Sequence, residues 1–368
     1  MTCCCHSVLL GLDSMISRSE DDFTRIALKA KAAQDYFLLI GPPGTGKTSC
    51  ALKKMVETFH ADKDAQILLL SYTNRAVDEI CKSLASIAPA VDFIRVGSEL
   101  SCDEAYRGHL IENELSSCNR RSEVYERIRN CRIIVGTVAA ISGKPELFRL
   151  KHFDVAIIDE ATQILEPQLL GILCARGEDG KDAIDKFVLI GDHKQLPAVV
   201  QQNTEQSAIY DESLLSIGLT NLKDSLFERL YRNCTATVHR SYDMLCRQGR
   251  MHPEVALFAN RAFYGGRLIP VGLPHQIESS DTICRLAFYP SVPEKAGASA
   301  KINYSEARIV ADLAVRIYED HQTDFDESRT LGIITPYRSQ IALIKKEIES
   351  LGIPALNRIL VDTVERFQ

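Results

Sequence analysis

The sequence lacks the features that mark membrane and zinc-binding proteins. No apolar run is long enough to cross a bilayer, and no basic stretch followed by a hydrophobic one opens the chain. The 12 cysteines include no Cys-x-x-Cys pair. Because zinc sites need paired ligands at short spacing, we expect mostly reduced, structural thiols. These absences favour a cytoplasmic protein that contacts no membrane.

The sequence also lacks the positive net charge that many nucleic-acid-binding proteins carry, since its formal charge is −6. Net charge does not describe the field inside one cleft, however, so a local basic channel stays open. Its 45% hydrophobic and 25% charged residues are typical of globular proteins. At 368 residues the chain exceeds the usual size of a single core, which favours two domains.

A glycine-rich segment, "LLIGPPGTGKTSC" (38–50), predicts a phosphate-binding P-loop. An apolar strand, "DYFLLI" (35–40), precedes it, and "KTSCALKKMVETF" (47–59) has helical spacing. Lys47 would reach the β and γ phosphates, and Thr48 would ligate Mg²⁺. The loop itself would cradle the phosphates through the residues Gly41, Pro42, Pro43, Gly44, Thr45 and Gly46. The alternative is a Gly/Pro-rich surface loop before a helix.

A second segment, "FDVAIIDEATQ" (153–163), supplies two acids at the end of an apolar strand. In a parallel sheet such acids lie beside the P-loop. Asp159 would hold Mg²⁺ through water, and Glu160 would orient and deprotonate the attacking water. The alternative is that both acids simply start a helix.

Six further blocks follow in a fixed order. They are "LLLSYTNRAVDEI" (68–80), "RIIVGTVAAIS" (132–142), "FVLIGDHKQLPAVV" (187–200), "RQGRMHPEVALFANRAFYGGRL" (247–268), "LGIITPYRSQIALIKKEI" (331–348) and "ILVDTVERFQ" (359–368). With the P-loop and the two acids, they resemble the superfamily 1B helicases of the group that includes the nonsense-mediated-decay RNA helicase and the Okazaki-fragment helicase–nuclease. The resemblance runs from about residue 36 to the last residue.

The resemblance implies further nucleotide contacts. Gln195 would sense the γ phosphate, and Arg250 would reach it across a cleft as an arginine finger. Arg338 would contact the nucleotide, although a solvated arginine at a helix start is the open alternative. Two departures put adenine packing in doubt: Gly249 stands where relatives often have an aromatic residue, and residues 17–30 contain no glutamine.

The resemblance also implies contacts with a nucleic-acid strand, made mainly to its backbone. The residues concerned are Ser71, Thr73, Asn74, Gly136, Thr137, Thr335, Pro336 and Thr363. For Thr73 and Asn74 a plain helix cap is the alternative. For the arginines of residues 120–129, a solvated helix face is the favoured interpretation.

The implied fold is α/β, with two RecA-like parallel-sheet domains that sandwich ATP and Mg²⁺. We assign residues 1–234 to the first domain, with a small insertion at about 81–131, and residues 235–368 to an incomplete second domain. Motif VI and its second arginine do not occur in the sequence. We therefore expect a piece of a longer helicase, with severe loss of hydrolysis by this chain alone.

The implied function is an ATP-dependent helicase or translocase that moves 5′ to 3′ on single-stranded DNA or RNA. The motifs do not specify which polymer, because that choice depends on 2′-hydroxyl contacts. The alternative is a fragment that binds nucleotide and strand, or a nucleic-acid-gated ATPase switch, without unwinding. We expect a monomer. Whether a nuclease or another domain belongs to the full-length protein stays open at this point.

Overall fold

The structure, a computed structural model, describes residues 21–236, 241–277, 285–291 and 301–367. The chain divides into two compact units, Met1–Ser280 and Asp281–Gln368. Residues 1–20, which the sequence analysis assigns to the first domain, lie outside the described residues.

A parallel sheet of seven strands forms the centre of the first unit, in the order β3-β4-β2-β5-β6-β1-β7. Its strands are β1 (Tyr36–Ile40), β2 (Ile67–Ser71), β3 (Phe93–Val96), β4 (Ile133–Thr137), β5 (Val155–Ile158), β6 (Phe187–Gly191) and β7 (Tyr242–Met244). A small second sheet pairs β8 (Arg247–Gln248) with β9 (Ile269–Pro270) in parallel. All carboxyl ends of the seven strands therefore lie at one edge of the main sheet.

Helices connect these strands. They are α1 (Asp22–Ala32), α2 (Lys53–His60), α3 (Asn74–Ala85), α4 (Ile111–Glu114), α5 (Arg121–Asn130), α6 (Val138–Ser142), α7 (Pro145–Leu150), α8 (Glu166–Leu173), α9 (Thr204–Ser207), α10 (Glu212–Ser216), α11 (Leu226–Ala236), α12 (Pro253–Phe263) and α13 (Pro274–Ile277). A π-helical turn, Lys47–Leu52, leads into α2, and 3₁₀ turns cover Glu99–Ser101, Glu104–His109 and Ala161–Gln163. Within the described part of the whole chain, no helix is long and apolar enough to cross a membrane.

Both faces of the main sheet are buried, because alternate residues of each strand point to opposite sides. In β2, Ile67 and Leu69 belong to the core that packs on α1, α2 and α3. Leu68 and Leu70 belong to the core on the other face, which includes residues of α6, α8 and α11. All five residues of β2 are buried. Continuous apolar strands of this kind are typical of a parallel sheet with helices on both faces.

Two predicted boundaries differ from the arrangement of the sheet. The sequence analysis starts a second domain at residue 235, but β7 pairs with β1 in the first sheet, and the compact units divide at Ser280. The predicted insertion at about 81–131 contains β3, which pairs with β4 as the edge strand of the same sheet. The segment therefore contributes a structural strand in addition to its short helices.

The second unit contains a β-α-β arrangement. It consists of α14 (Tyr304–Asp320), β10 (Gly332–Ile334), α15 (Arg338–Ser350), a 3₁₀ turn (Leu356–Arg358), β11 (Leu360–Asp362) and a last 3₁₀ turn (Val364–Arg366). The two strands pair in parallel. Ala307, Ala311, Ile333, Ile344 and Val361 are among the residues that form the core between the two helices and the strands.

Candidate functional site

The loop after β1 has the conformation that phosphate cradles require. Gly44 and Gly46 have φ angles of 74° and 77°, in the left-handed region that favours glycine. The hydroxyl of Thr45 donates a hydrogen bond of 2.7 Å to the carbonyl of Pro42, which closes the loop on itself. Gly46 directly precedes the helical turn that begins at Lys47. Backbone N–H groups in such a curled loop before a helix make an anion-binding concavity.

Four predicted residues meet at the end of this loop. Lys47 Nζ lies 3.0 Å from Glu160 Oε1, and the hydroxyl of Thr48 donates a hydrogen bond of 2.5 Å to Asp159 Oδ2. The side chain of Lys47 crosses directly over Gly41, where a Cβ atom would lie 2.0 Å from Lys47 Cγ. Gly41 is therefore needed for the path of the lysine side chain.

Asp159 is a buried carboxylate with an unusual proton affinity. Its exposed fraction is 1%, and burial, helped by the neighbouring charge of Glu160, raises its pKa to about 6. Lys47 and Thr48 act in the opposite direction. A hydroxyl beside a buried carboxylate is an oxygen ligand set that Mg²⁺ prefers, and a cation there would offset the cost of the buried charge. These residues fit a magnesium ion.

Glu160 has a strained backbone. Its φ of 53° makes it the one non-glycine residue with positive φ in the described ranges. Such conformations cost free energy and persist where the surrounding structure holds them, often at functional sites. The strain places the carboxylate of Glu160 toward Lys47, at the start of the 3₁₀ turn Ala161–Gln163.

Gln195 reaches the same edge of the sheet through Asp192. Its Nε2 donates a hydrogen bond of 2.8 Å to Asp192 Oδ2, and the hydroxyl of Tyr264 donates one of 2.7 Å to that same oxygen. Asp192 is completely buried. Burial and the nearby carboxylate raise the pKa of Tyr264 well above its usual range. Tyr264 was not singled out from the sequence, because an aromatic residue at a helix end has no motif of its own.

The end of β6 approaches the turn after Glu160 closely. A Cβ atom on Gly191 would lie 2.8 Å from Thr162 Cγ2 and 3.1 Å from the main-chain nitrogen of Thr162. The main-chain N–H of Gly41 donates a hydrogen bond of 2.9 Å to the carbonyl of Gly191. The P-loop, the acidic turn and the segment that carries Gln195 therefore pack against one another.

Arg250 lies next to the P-loop within the first compact unit. The main-chain N–H of Gly249 donates a hydrogen bond of 2.9 Å to the carbonyl of Gly44. A Cβ atom on Gly44 would lie 2.4 Å from Arg250 Cβ. The expectation that Arg250 reaches the site from a second domain is therefore corrected: β7, shortly before it, pairs with β1, and residue 250 lies within the first compact unit.

Gly249, the predicted departure from relatives, has a local packing reason. A Cβ atom at this position would lie 3.2 Å from Leu273 Cδ1 and 3.9 Å from Val271 Cγ2. A side chain in this backbone position would require the end of the Leu273 side chain to shift by a few tenths of an ångström.

Several residues that were predicted to contact a nucleic-acid strand form hydrogen bonds within the protein or cap helices. Ser71 is fully buried, and its hydroxyl donates a hydrogen bond of 3.2 Å to the carbonyl of Asp159. Thr137 is buried beside Gly136 at the end of β4, and its hydroxyl accepts a hydrogen bond from Ala140 as the cap of α6. Thr73 caps α3 and is exposed, with Asn74 half-buried next to it. Thr73 and Asn74 are thus the accessible part of this group.

In the second unit, the predicted residues follow its two paired strands. Thr335 is buried, and its N–H donates a hydrogen bond of 3.2 Å to the carbonyl of Asp362. Thr363 is half-buried, while Pro336 and Arg338 are exposed. These residues share one edge of the small sheet.

Two arginines of α5 have internal partners. Arg127 lies 2.9 Å from Asp92 and 2.8 Å from Glu114, and the two carboxylates hold the pKa of its guanidinium above the usual range. Arg121 lies over the ring of Tyr125 at 5.2 Å. These bonds leave Arg127 less available for phosphate than a solvated arginine.

A parallel sheet with a P-loop, a hydroxyl and two carboxylates at its carboxyl edge defines a P-loop nucleoside triphosphatase with a RecA-like core. Profiles of two families, each described as "AAA domain", match residues 18–126 with 113–203 and residues 222–368. The chain belongs to the superfamily 1 helicases of the type that includes the Okazaki-fragment helicase–nuclease and the nonsense-mediated-decay helicase.

Curated relatives share this region of sequence. The "DNA replication ATP-dependent helicase/nuclease DNA2" of Xenopus laevis is 30% identical over 376 residues, which cover 91% of this chain and 31% of the relative. The "DNA replication ATP-dependent helicase/nuclease JHS1" of Arabidopsis thaliana is 29% identical, covering 95% of this chain and 24% of the relative. The "DNA polymerase alpha-associated DNA helicase A" of Saccharomyces cerevisiae is 23% identical, covering 97% and 59%. The chain thus spans about a third of the length of the DNA2 relatives.

Proposed function

We propose that this chain is the ATP-hydrolysing core of a helicase that moves 5′ to 3′ along single-stranded nucleic acid. The observation that supports the proposal most directly is the cluster of Lys47, Thr48, Asp159 and Glu160, held together by contacts of 3.0 and 2.5 Å. Because the named relatives are DNA helicases, DNA is the proposed track.

Phosphate binding is assigned to the curled loop and to Lys47. The loop would offer main-chain N–H groups, and Lys47 would contact the β and γ phosphates. Thr48 and Asp159 would hold Mg²⁺, which would neutralise charge on the phosphates. Asp159 would bind as the ionised carboxylate, since a nearby cation favours the charged form.

Glu160 is assigned as the general base. It lies 3.0 Å from Lys47, so a γ phosphate held by the lysine would lie beside the carboxylate. Glu160 would accept a proton from the water that attacks this phosphate. The strained backbone of Glu160 would fix the carboxylate in that position.

Gln195 and Arg250 are assigned to the γ phosphate. Arg250 follows the residue that hydrogen-bonds Gly44 of the P-loop, and its guanidinium would neutralise charge that develops during phosphoryl transfer. Gln195 donates a hydrogen bond to Asp192. It would couple binding of the γ phosphate to the residues that contact the nucleic-acid strand. Nucleotide contact by Arg338 remains a prediction.

Contacts with the nucleic-acid strand are assigned to accessible residues that follow the parallel β-strands. Thr73, Asn74, Pro336 and Thr363 present polar or small groups at strand ends, where contacts to the phosphate backbone position a strand without reading its sequence. Ser71 and Thr137, with buried hydroxyls, would support this edge from inside. A monomeric, cytoplasmic protein remains our prediction.

The test is ATP hydrolysis with and without single-stranded DNA and RNA, for this chain and for the product of the complete reading frame. Stimulation by DNA that disappears in Lys47→Ala, together with separation of a duplex with a 5′ overhang, is the expected result. Equal hydrolysis by Lys47→Ala would refute the assigned site. Stimulation without strand separation by the complete product would support the gated switch instead.

A further inference from the structure

Two buried glutamines hold the turn that carries Arg250. Gln248 is 1% exposed and Gln276 is 2% exposed. Gln248 ends the short strand β8, whereas Gln276 lies on α13, 28 residues further along the chain. Buried side-chain amides cost free energy unless they are hydrogen-bonded, so the partners of these two define what they hold.

Gln276 bridges two separate pieces of backbone. Its Nε2 donates hydrogen bonds of 3.0 Å to the carbonyl of Gln248 and 2.9 Å to that of Met251. Its Oε1 accepts hydrogen bonds from the N–H groups of Gly272 at 3.1 Å and Leu273 at 3.2 Å. Both amide hydrogens and both acceptor positions are therefore in use.

Gln248 closes the same turn from the other side. Its Oε1 accepts hydrogen bonds from the N–H groups of Arg250 at 3.1 Å and Met251 at 2.8 Å. Its Nε2 donates one of 2.7 Å to the carbonyl of Met251. His275 Nε2 lies 3.1 Å from the carbonyl of Gly249. Side chains thus bind the main chain on both sides of Arg250.

The turn held in this way is the one that contacts the P-loop. The N–H of Gly249 donates to the carbonyl of Gly44, and Arg250 Cβ packs against Gly44. A shift of this turn would therefore move the arginine relative to the phosphate cradle.

We propose that Gln276 is a positioning residue for Arg250: its two donated hydrogen bonds fix the Gln248–Met251 turn on Gly44 and thereby set the distance of the guanidinium from the γ phosphate. This inference rests on the proposed function for its kinetic consequence. We call the hydrogen bonds of Gln276 and Gln248 to this turn the clamp. The clamp itself is independent of that function.

The sharpest variant is Gln276→Glu. A glutamate keeps the volume and still accepts from Gly272 and Leu273, but it presents an acceptor to the carbonyls of Gln248 and Met251. Since a misplacement of about 1 Å costs on the order of a hundredfold in rate, we expect kcat to fall by roughly that factor. The KM for ATP should change little, because the interaction matters in the transition state.

Two comparisons separate positioning from loss of stability. In the double variant with Arg250→Ala, Gln276→Glu should add almost no further loss, because it acts through that arginine. Gln66→Glu is the matched control: Gln66 is half-buried at the opposite end of the strands, accepts from Lys151 and donates to the carbonyl of Asp64. Gln66→Glu loses the amide donor, as Gln276→Glu does, and should leave kcat unchanged.

Hydrogen exchange tests the clamp without nucleotide. The amides of residues 249–251 should exchange faster in Gln276→Glu and in Gln276→Met, while those of β2 should not. Unchanged exchange at 249–251 would overturn the clamp. Faster exchange with unchanged kcat in an active protein would overturn the positioning role. Hydrolysis by the wild type that does not exceed that of Lys47→Ala would count against the proposed function and would leave the exchange result to decide the clamp.

Discussion

The parallel β-strands of the two compact units are buried to different extents. In the first unit, β2 is buried along its whole length between helices on both faces. In the second unit, Ile333 and Val361 are 7% and 3% exposed, but their neighbours Ile334 and Leu360 are 55% and 40% exposed. The second sheet therefore buries one face among the described residues.

The same difference applies to polar side chains. In the first unit the polar residues after the strands bind one another, as Thr48 binds Asp159 and Gln195 binds Asp192. In the second unit, Pro336 and Arg338 after β10 are exposed. Preorganised polar groups of the first kind are those that stabilise developing charge. The comparison supports our proposal that the residues of ATP hydrolysis belong to the first unit.

The largest expected effect tests this assignment directly. Glu160→Gln should lower kcat for ATP hydrolysis by about a hundredfold to ten-thousandfold, because general-base catalysis contributes on that order. Nucleotide binding should persist, since the loop and Lys47 are unchanged. Steady-state hydrolysis with single-stranded DNA and titration with a fluorescent nucleotide analogue measure the two quantities.

Arg338→Ala in the second unit is the counterpart to this variant. It should lower kcat much less than Glu160→Gln, because Arg338 is an exposed residue at the start of α15. An equal decrease of kcat in both variants would contradict the proposal that hydrolysis depends on residues of the first unit.

Core truncations probe the two sheets. Leu69→Ala should destabilise the first unit by about 2 to 5 kcal/mol, because the residue is fully buried in a closely packed core. Leu360→Ala, at an exposed position of β11, should cost less than about 1 kcal/mol. Urea denaturation, with hydrogen exchange to assign each transition, measures both; similar losses would contradict a one-sided second sheet.

Removing the buried charge of Asp159 should stabilise the ligand-free protein. With the pKa raised from 3.8 to about 6, the folded state binds more protons than the unfolded state between these values. Stability from this group is therefore present below about pH 4 and lost as pH rises through about 6. Asp159→Asn should recover at most about 3 kcal/mol at pH 7.

Thermal unfolding at several pH values measures this gain. The variant should also lose the wild-type decrease in stability between about pH 4 and pH 6. Ser71→Ala, which removes a hydrogen bond to the main-chain carbonyl of Asp159 and leaves its carboxylate, is the control that should keep the pH dependence. A variant as unstable as the wild type at pH 7 would show that the buried charge costs little.

Sequence reasoning predicted the parallel α/β fold correctly where strong local patterns exist, and the roles assigned to the site residues stay predictions. The apolar runs before Gly41 and Asp159 form strands of one sheet with β6 between them, and the hydroxyl of Thr48 donates a hydrogen bond to Asp159. The pairing of β7 with β1 was missed, because β7 is only three residues of mixed polarity. Such a segment is too short to show the alternation of apolar and polar residues that predicts a strand. The role of Gln276 was missed for a related reason: long-range bonds to main-chain carbonyls leave no trace in local spacing.

Tyr264 was missed in the same way, and it offers the smallest test of the first unit. Tyr264→Phe removes one of two donors to the buried oxygen Asp192 Oδ2 and leaves the other, from Gln195. Because Gln195 still donates to this oxygen, the loss is that of one hydrogen bond, and stability should fall by about 0.5 to 1.5 kcal/mol. Urea denaturation measures it.

Tyr318→Phe in the second unit is the matched control for this last variant. Tyr318 is half-buried, and its ring packs edge-on against Phe325 at 5.0 Å, so the substitution removes a hydroxyl and keeps the ring contact. Its effect should be within about 0.5 kcal/mol. If the loss in Tyr264→Phe is as small, Asp192 is satisfied without the tyrosine. If the loss is larger and kcat also falls, the hydroxyl holds Gln195 in place through the shared carboxylate.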